Sequence, residues 1–153
     1  MILETVHVGE LGVNCYILAS APDRGAIIID PGADEDKIKR ALEKNRLKPA
    51  FIINTHSHFD HIGCDDKFGV AIYIHRLDAA ALADAKLNFS VFLQGRPFFV
   101  KSEIKTLNHK NEIALSDIKL EVIHTPGHTP GGICLLIKEP VKNILFSGDT
   151  LFY

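Results

Sequence analysis

Four residues that bind metals well fall inside one short stretch: His56, His58, Asp60 and His61 of Thr-His-Ser-His-Phe-Asp-His. On an extended segment, side chains two apart point to the same side, so the His56 and His58 imidazoles can reach one ion. Asp60 and His61 follow at once, and a turn or helix start there swings them toward a neighbouring position. Imidazole nitrogen and carboxylate oxygen are donors that zinc prefers, at roughly 2.0–2.2 Å. The chain has eight histidines, and a lone one is usually a surface or packing residue. Three in this window, straight after an apolar run, call for a common ligand.

Two later segments supply the same donor types. Thr125-Pro126-Gly127-His128-Thr129-Pro130-Gly131-Gly132 puts one histidine in a turn-rich loop, where proline fixes the backbone and glycine permits close approach. Ser147-Gly148-Asp149-Thr150 puts a carboxylate after an apolar run, where it can bridge two ions. Either segment alone reads as structural, and both gain weight from the upstream cluster. Asp60 can also orient a water and is the candidate catalytic residue.

The elements that must position these residues follow from the hydrophobic pattern. Residues 1–9 and 13–19 read as strands joined by a turn at Gly12, and Gly25–Asp30 as a buried strand closed by Asp-Pro-Gly. From Asp34 the period changes. Acidic residues open a stretch in which Ile38, Ala41, Leu42 and Leu47 recur at helical spacing. Ala50–Asn54 is a strand that delivers the chain into the cluster, and a short helix follows. Val70–Ile74 reads as a strand and Leu77–Ala85 as an alanine-rich helix, whereas 86–111 reads as a covering or mobile loop. Strands at Ile118–His124, Ile133–Ile137 and Ile144–Ser147 close the chain. β-rich ends around an alternating middle point to an α+β sandwich of sheets flanked by helices.

With 153 residues, 46% hydrophobic and 24% charged, the chain reads as a single globular domain over 1–153. A net charge of −2 without a basic stripe gives no footprint for nucleic acid. No apolar run approaches a membrane span, and the first residues lack the pattern of a signal peptide, so the expected location is cytoplasmic. Cys15 and Cys134 lie in apolar runs and read as small core residues. Cys64 sits three residues after His61. His7, His75 and His109 read as isolated surface or packing residues. Pro126 and Gly127 keep His124 off any helical face shared with His128. The apolar end Leu151-Phe152-Tyr153 reads as a domain that continues further.

Taken in order, Asp30 in IIIDPG, THSHFDH at 55–61, TPGHTPGG at 125–132 and SGDTLF at 147–152 resemble the metallo-β-lactamase superfamily. Within it, the likeness is greatest to the hydroxyacylglutathione hydrolases (glyoxalase II) and similar thioesterases. The resemblance implies an αββα sandwich and up to two zinc ions, with iron or manganese as other occupants. It implies one ion on His56, His58 and His128, a second on Asp60 and His61, and Asp149 bridging them, with Asp30 bracing the site from behind. The family carries a further histidine beyond the bridging aspartate, but no histidine follows His128 here. The implied second position is therefore weaker. Cys64 stands where the family often has glycine.

The implied chemistry is hydrolysis of a small-molecule thioester, whose thiolate leaves without strong acid assistance because its conjugate acid has a pKa near 8.5. Two other readings stay open at this point. One is a mononuclear iron persulfide dioxygenase using His56, His128 and Asp149. The other is a metal-binding piece that is inactive without further chain. Oligomeric state is not legible.

Overall fold

The computed structural model describes residues 1–138 and 143–151. Among these residues, ten strands form two sheets. The first has six strands in the order β1 (Ile2–Val8), β2 (Val13–Ala19), β3 (Gly25–Ile29), β4 (Lys48–Ile53), β5 (Ile72–His75) and β6 (Ile104–Leu107). Its first two pairings are antiparallel and its last three parallel. The second sheet is antiparallel throughout: β10 (Ile144–Phe146), β9 (Ile133–Ile137), β8 (Ile118–His124) and β7 (Glu112–Leu115). The helices are α1 (Glu35–Lys44), α2 (Phe59–Ile62) and α3 (Ser90–Gln94).

Period-two alternation builds the layers, because successive strand side chains face opposite ways. On β3 and β4, Ile28 and Ile52 face the outer side of the first sheet, where Ile38 and Leu42 of α1 and Ile62 of α2 pack on them. Ile27, Ile29 and Ile53 face the other way, into a core shared with Leu120, Val122, Leu135 and Phe146 of the second sheet. Burying each of these side chains stabilises the fold by about 1.5–3 kcal/mol. The expected sandwich of sheets with helices outside is thus present.

Two assignments change. The stretch 77–85 forms only a 3-10 turn over Ala79–Ala83. It spans too few residues for a stable α-helix of its own, and Leu82 alone is fully buried. Residues 86–111 are not one covering loop: they hold α3 and the edge strand β6, whose exposed first residues hide the alternation that marks a strand. The strand β7 also went unread, for the same reason. Residues 152 and 153 of the apolar end lie outside the described residues. No helix among the described residues is long and apolar enough to cross a membrane.

Candidate metal centre

The site lies where strands of both sheets end. β3 ends at Asp30, β4 runs into 55–61, β8 leads to His128 and β10 to Asp149. All six predicted donors meet there. The imidazole of His56 lies 4.7, 4.1 and 4.9 Å, centre to centre, from those of His58, His61 and His128. Donor atoms of His56, His58 and His128 lie within 4.8 Å of one another, and so do those of His56, His61 and Asp149. Asp60, on the first turn of α2, places Oδ2 3.7 Å from His61 Nε2.

Asp149 stands between the two groups. Its Oδ2 is 3.2 Å from His128 Nε2 and 4.0 Å from His56 Nε2, while its Oδ1 is 3.2 Å from His61 Nε2. Burial raises the Asp149 carboxyl, but the surrounding histidines outweigh it and hold the group below its ordinary range.

Hydrogen bonding from behind decides which ring nitrogens face the centre. Asp30 accepts from Thr55 N at 2.7 Å and from Thr55 Oγ1 at 2.7 Å. The single Thr55 hydroxyl proton is thus committed, and the 3.2 Å contact with His56 Nδ1 requires that nitrogen to donate. His61 Nδ1 likewise meets Asp30 Oδ2 at 3.0 Å. Both Nε2 atoms therefore point into the centre, where these buried atoms have no hydrogen-bond partner among the described residues. An unsatisfied buried polar atom costs about 1–3 kcal/mol. Two such atoms aimed at one spot, beside a carboxylate, suit a divalent cation, so the residues fit the implied metal.

Without a metal, burial and the neighbouring rings hold His56 far below its ordinary pKa. Burial lowers His61 too, but Asp30 and Asp149 outweigh it and push its pKa up to about 10.

Close backbone packing sets the loops. A Cβ at Gly32 would lie 1.4 Å from the Asp60 carbonyl oxygen, and one at Gly148 2.3 Å from Thr55 Oγ1. Only glycine lets the Asp-Pro-Gly turn touch α2, or the Asp149 turn touch Thr55. Behind α2, Asn54 Nδ2 donates to Asp65 Oδ1 and the His61 carbonyl. Burial pushes the Asp65 carboxyl well above its ordinary range. Cys15, Cys64 and Cys134 are buried free thiols.

A cleft of about 500 Å³ opens beside the donors, lined by Leu11, Tyr16, Asp60, His61, Asp149 and Leu151 among others. That volume suits a small molecule. On the other flank, Phe89 meets the His58 ring at 4.7 Å. Sequence reading misses both Tyr16 and Phe89, because a single aromatic residue carries no mark of facing a cleft. It also took His75 as isolated. In the fold, His75 stacks on His124 at 4.1 Å, and His109 Nδ1 accepts from His124 N, a meeting of two strand ends and a turn that no local spacing shows.

The model of the metallo-beta-lactamase superfamily matches residues 8–153. The chain belongs to this superfamily. Among its relatives is a probable metallo-hydrolase, YqgX of Bacillus subtilis (strain 168), 36% identical over 149 residues, covering 95% of this chain and 69% of the relative. Another is the hydroxyacylglutathione hydrolase GloC of Haemophilus influenzae, at 30% identity, 99% of this chain and 73% of that protein. The crystal structure of the BLEG-1 B3 metallo-beta-lactamase superposes with a TM-score of 0.86 at 33% identity, covering 99% of this chain and 74% of that one. The chain is thus a metallo-hydrolase superfamily member with a His/Asp metal site.

Proposed function

We propose that this superfamily member hydrolyses a small thioester of the hydroxyacylglutathione kind at a two-ion centre. The observation that carries the reading is the position of Asp149, whose two carboxylate oxygens face different histidines at 3.2 Å each. His56, His58 and His128 would hold one ion, and Asp60 and His61 the other, with Asp149 shared. Zinc fits this nitrogen and oxygen donor set. Bound divalent ions supply water acidified from pKa 15.7 toward about 7, together with a Lewis acid for the carbonyl.

The chain's own residues do the rest. Asp30, through Thr55 and His61, keeps both Nε2 atoms turned inward. Asp60, at the cleft edge, accepts a hydrogen bond from the attacking water and so aims its lone pair. The cleft beside Tyr16 and Leu11 receives the substrate. A thiolate needs little help to leave, whereas an amide nitrogen must be protonated, so thioesters are favoured over lactams. The hydrolase GloC supports this substrate class. The cytoplasmic location expected from the sequence belongs to the same proposal.

The test is direct. Chelator-stripped protein should lose turnover of a hydroxyacylglutathione thioester and regain it on zinc addition. Undiminished activity after complete stripping overturns the reading. Iron content with oxygen consumption on a persulfide replaces it with a dioxygenase, and faster turnover of a β-lactam than of the thioester replaces it with a lactamase.

A further inference from the structure

Asp78 lies outside the donor set, yet its buried carboxylate joins the two loops that carry the three-histidine group. Its Oδ2 accepts from Ser57 N at 3.1 Å, and its Oδ1 accepts from Gly131 N at 2.6 Å. Ser57 sits between His56 and His58, and Gly131 lies three residues after His128. The residue is 2% exposed, so both bonds are shielded from water, and a charged acceptor makes them stronger than neutral ones.

The surroundings fit a built latch. Asp78 begins the Ala79–Ala83 turn, where a lone aspartate reads most simply as a helix cap, yet its side chain makes no cap hydrogen bond. It is anchored instead by its own N–H, which donates to the His75 carbonyl at 2.9 Å. A Cβ at Gly131 would fall 2.6 Å from both Asp78 N and Asp78 Oδ1, so only glycine allows the approach. The stacked His75 and His124 rings back the same junction, with His124 Nε2 donating to the Pro130 carbonyl at 2.9 Å. At the bases of the two loops, Ile133 N also donates to the Thr55 carbonyl at 2.9 Å.

We infer that Asp78 is a positioning residue that sets the distance between His128 and the His56–His58 pair, and so tunes affinity at the three-histidine position. The inference rests on the metal reading above. It touches neither substrate nor ion, and works by fixing two backbones. An amide in place of the carboxylate keeps the volume but can accept only one of the two N–H bonds.

Zinc affinity of the full chain, measured by competition with a chromophoric chelator, should fall 10- to 100-fold in Asp78→Asn, the range seen when partners of ligands are removed. Cobalt absorption should lose intensity as the tetrahedral set distorts, a change that a general loss of stability does not produce in folded protein. Before any metal is added, amide exchange in the unaltered chain should show Ser57 and Gly131 protected like strand amides. Free exchange at either amide overturns the latch, even if the variant does not fold. Equal zinc affinity and an unchanged cobalt spectrum in folded Asp78→Asn also overturn it, leaving the metal reading intact. An unaltered chain that takes up no zinc sinks the metal reading and this inference with it.

Discussion

Asp30 shows how much one side chain behind the ligands can settle. It accepts from Thr55 N, Thr55 Oγ1 and His61 Nδ1, so Asp30→Ala should strand three donors at once. Metal affinity should drop 10- to 100-fold, read by the same chelator competition, and an unchanged affinity contradicts the bracing role. The histidines also predict a pH profile for the metal-free chain. His61 titrates near 10 when folded against 6.5 ordinarily, so its contribution is complete below pH 6.5 and is lost as pH rises toward 10. His56 and His58 are shifted downward, so their contribution is complete above 6.5 and is lost on acidification. Together these groups favour a maximum near pH 6.5 in denaturant midpoints, with an alkaline decline that bound metal removes by taking the proton's place on His61. At this scale the donor types were legible because they cluster or sit in turn-rich loops. Asp78 and Tyr16 were not, because a single ordinary residue reveals nothing of the backbone it faces.

Elements place those side chains through contacts with no tolerance for an added atom. Gly32→Ala drives a methyl into the Asp60 carbonyl, so α2 must shift. Stability should fall by about 3 kcal/mol or more, with loss of metal binding through Asp60 and His61; urea midpoints and metal titration check both. Ile53→Ala, by contrast, only opens space between the sheets and should cost about 2–5 kcal/mol by the same measurement. The strands β3, β8 and β9 were readable almost to the residue, because β3 and β9 are near-continuous buried apolar runs and β8 alternates apolar with polar residues. The edge strands β6 and β7 were not, since three of the four residues in β6 and two of the four in β7 are exposed. The 3-10 turn at 79–83 reads as a helix because alanine favours helix, while its short span and Asp78's bonds to two loops give a tighter turn.

For the whole molecule, the donor ledger is uneven. On the proposed two-ion reading, His56, His58 and His128 would make a three-histidine set for one ion, whereas Asp60, His61 and the shared Asp149 would offer the other fewer nitrogen donors. Titration of this chain should therefore resolve a tight and a weak class of zinc; two equally tight ions contradict that. The chain spans 69–74% of the length of YqgX, GloC and BLEG-1. Within that span, the layered architecture was evident from residue order, but the convergence of positions 30, 56, 78, 128 and 149 is a property of two sheets closing face to face.

Because the donors arrive from both sheets, an ion held among them fastens one layer to the other across more than half the chain. Unfolding must then release the ion, and the melting temperature becomes a gauge of free zinc. Zinc at about a thousandfold above its dissociation constant adds about 4 kcal/mol, or about 8–16 °C for a chain of this size. A calorimetric scan across a zinc buffer series should trace that logarithmic rise. A flat series shows that the two layers hold together without the rivet.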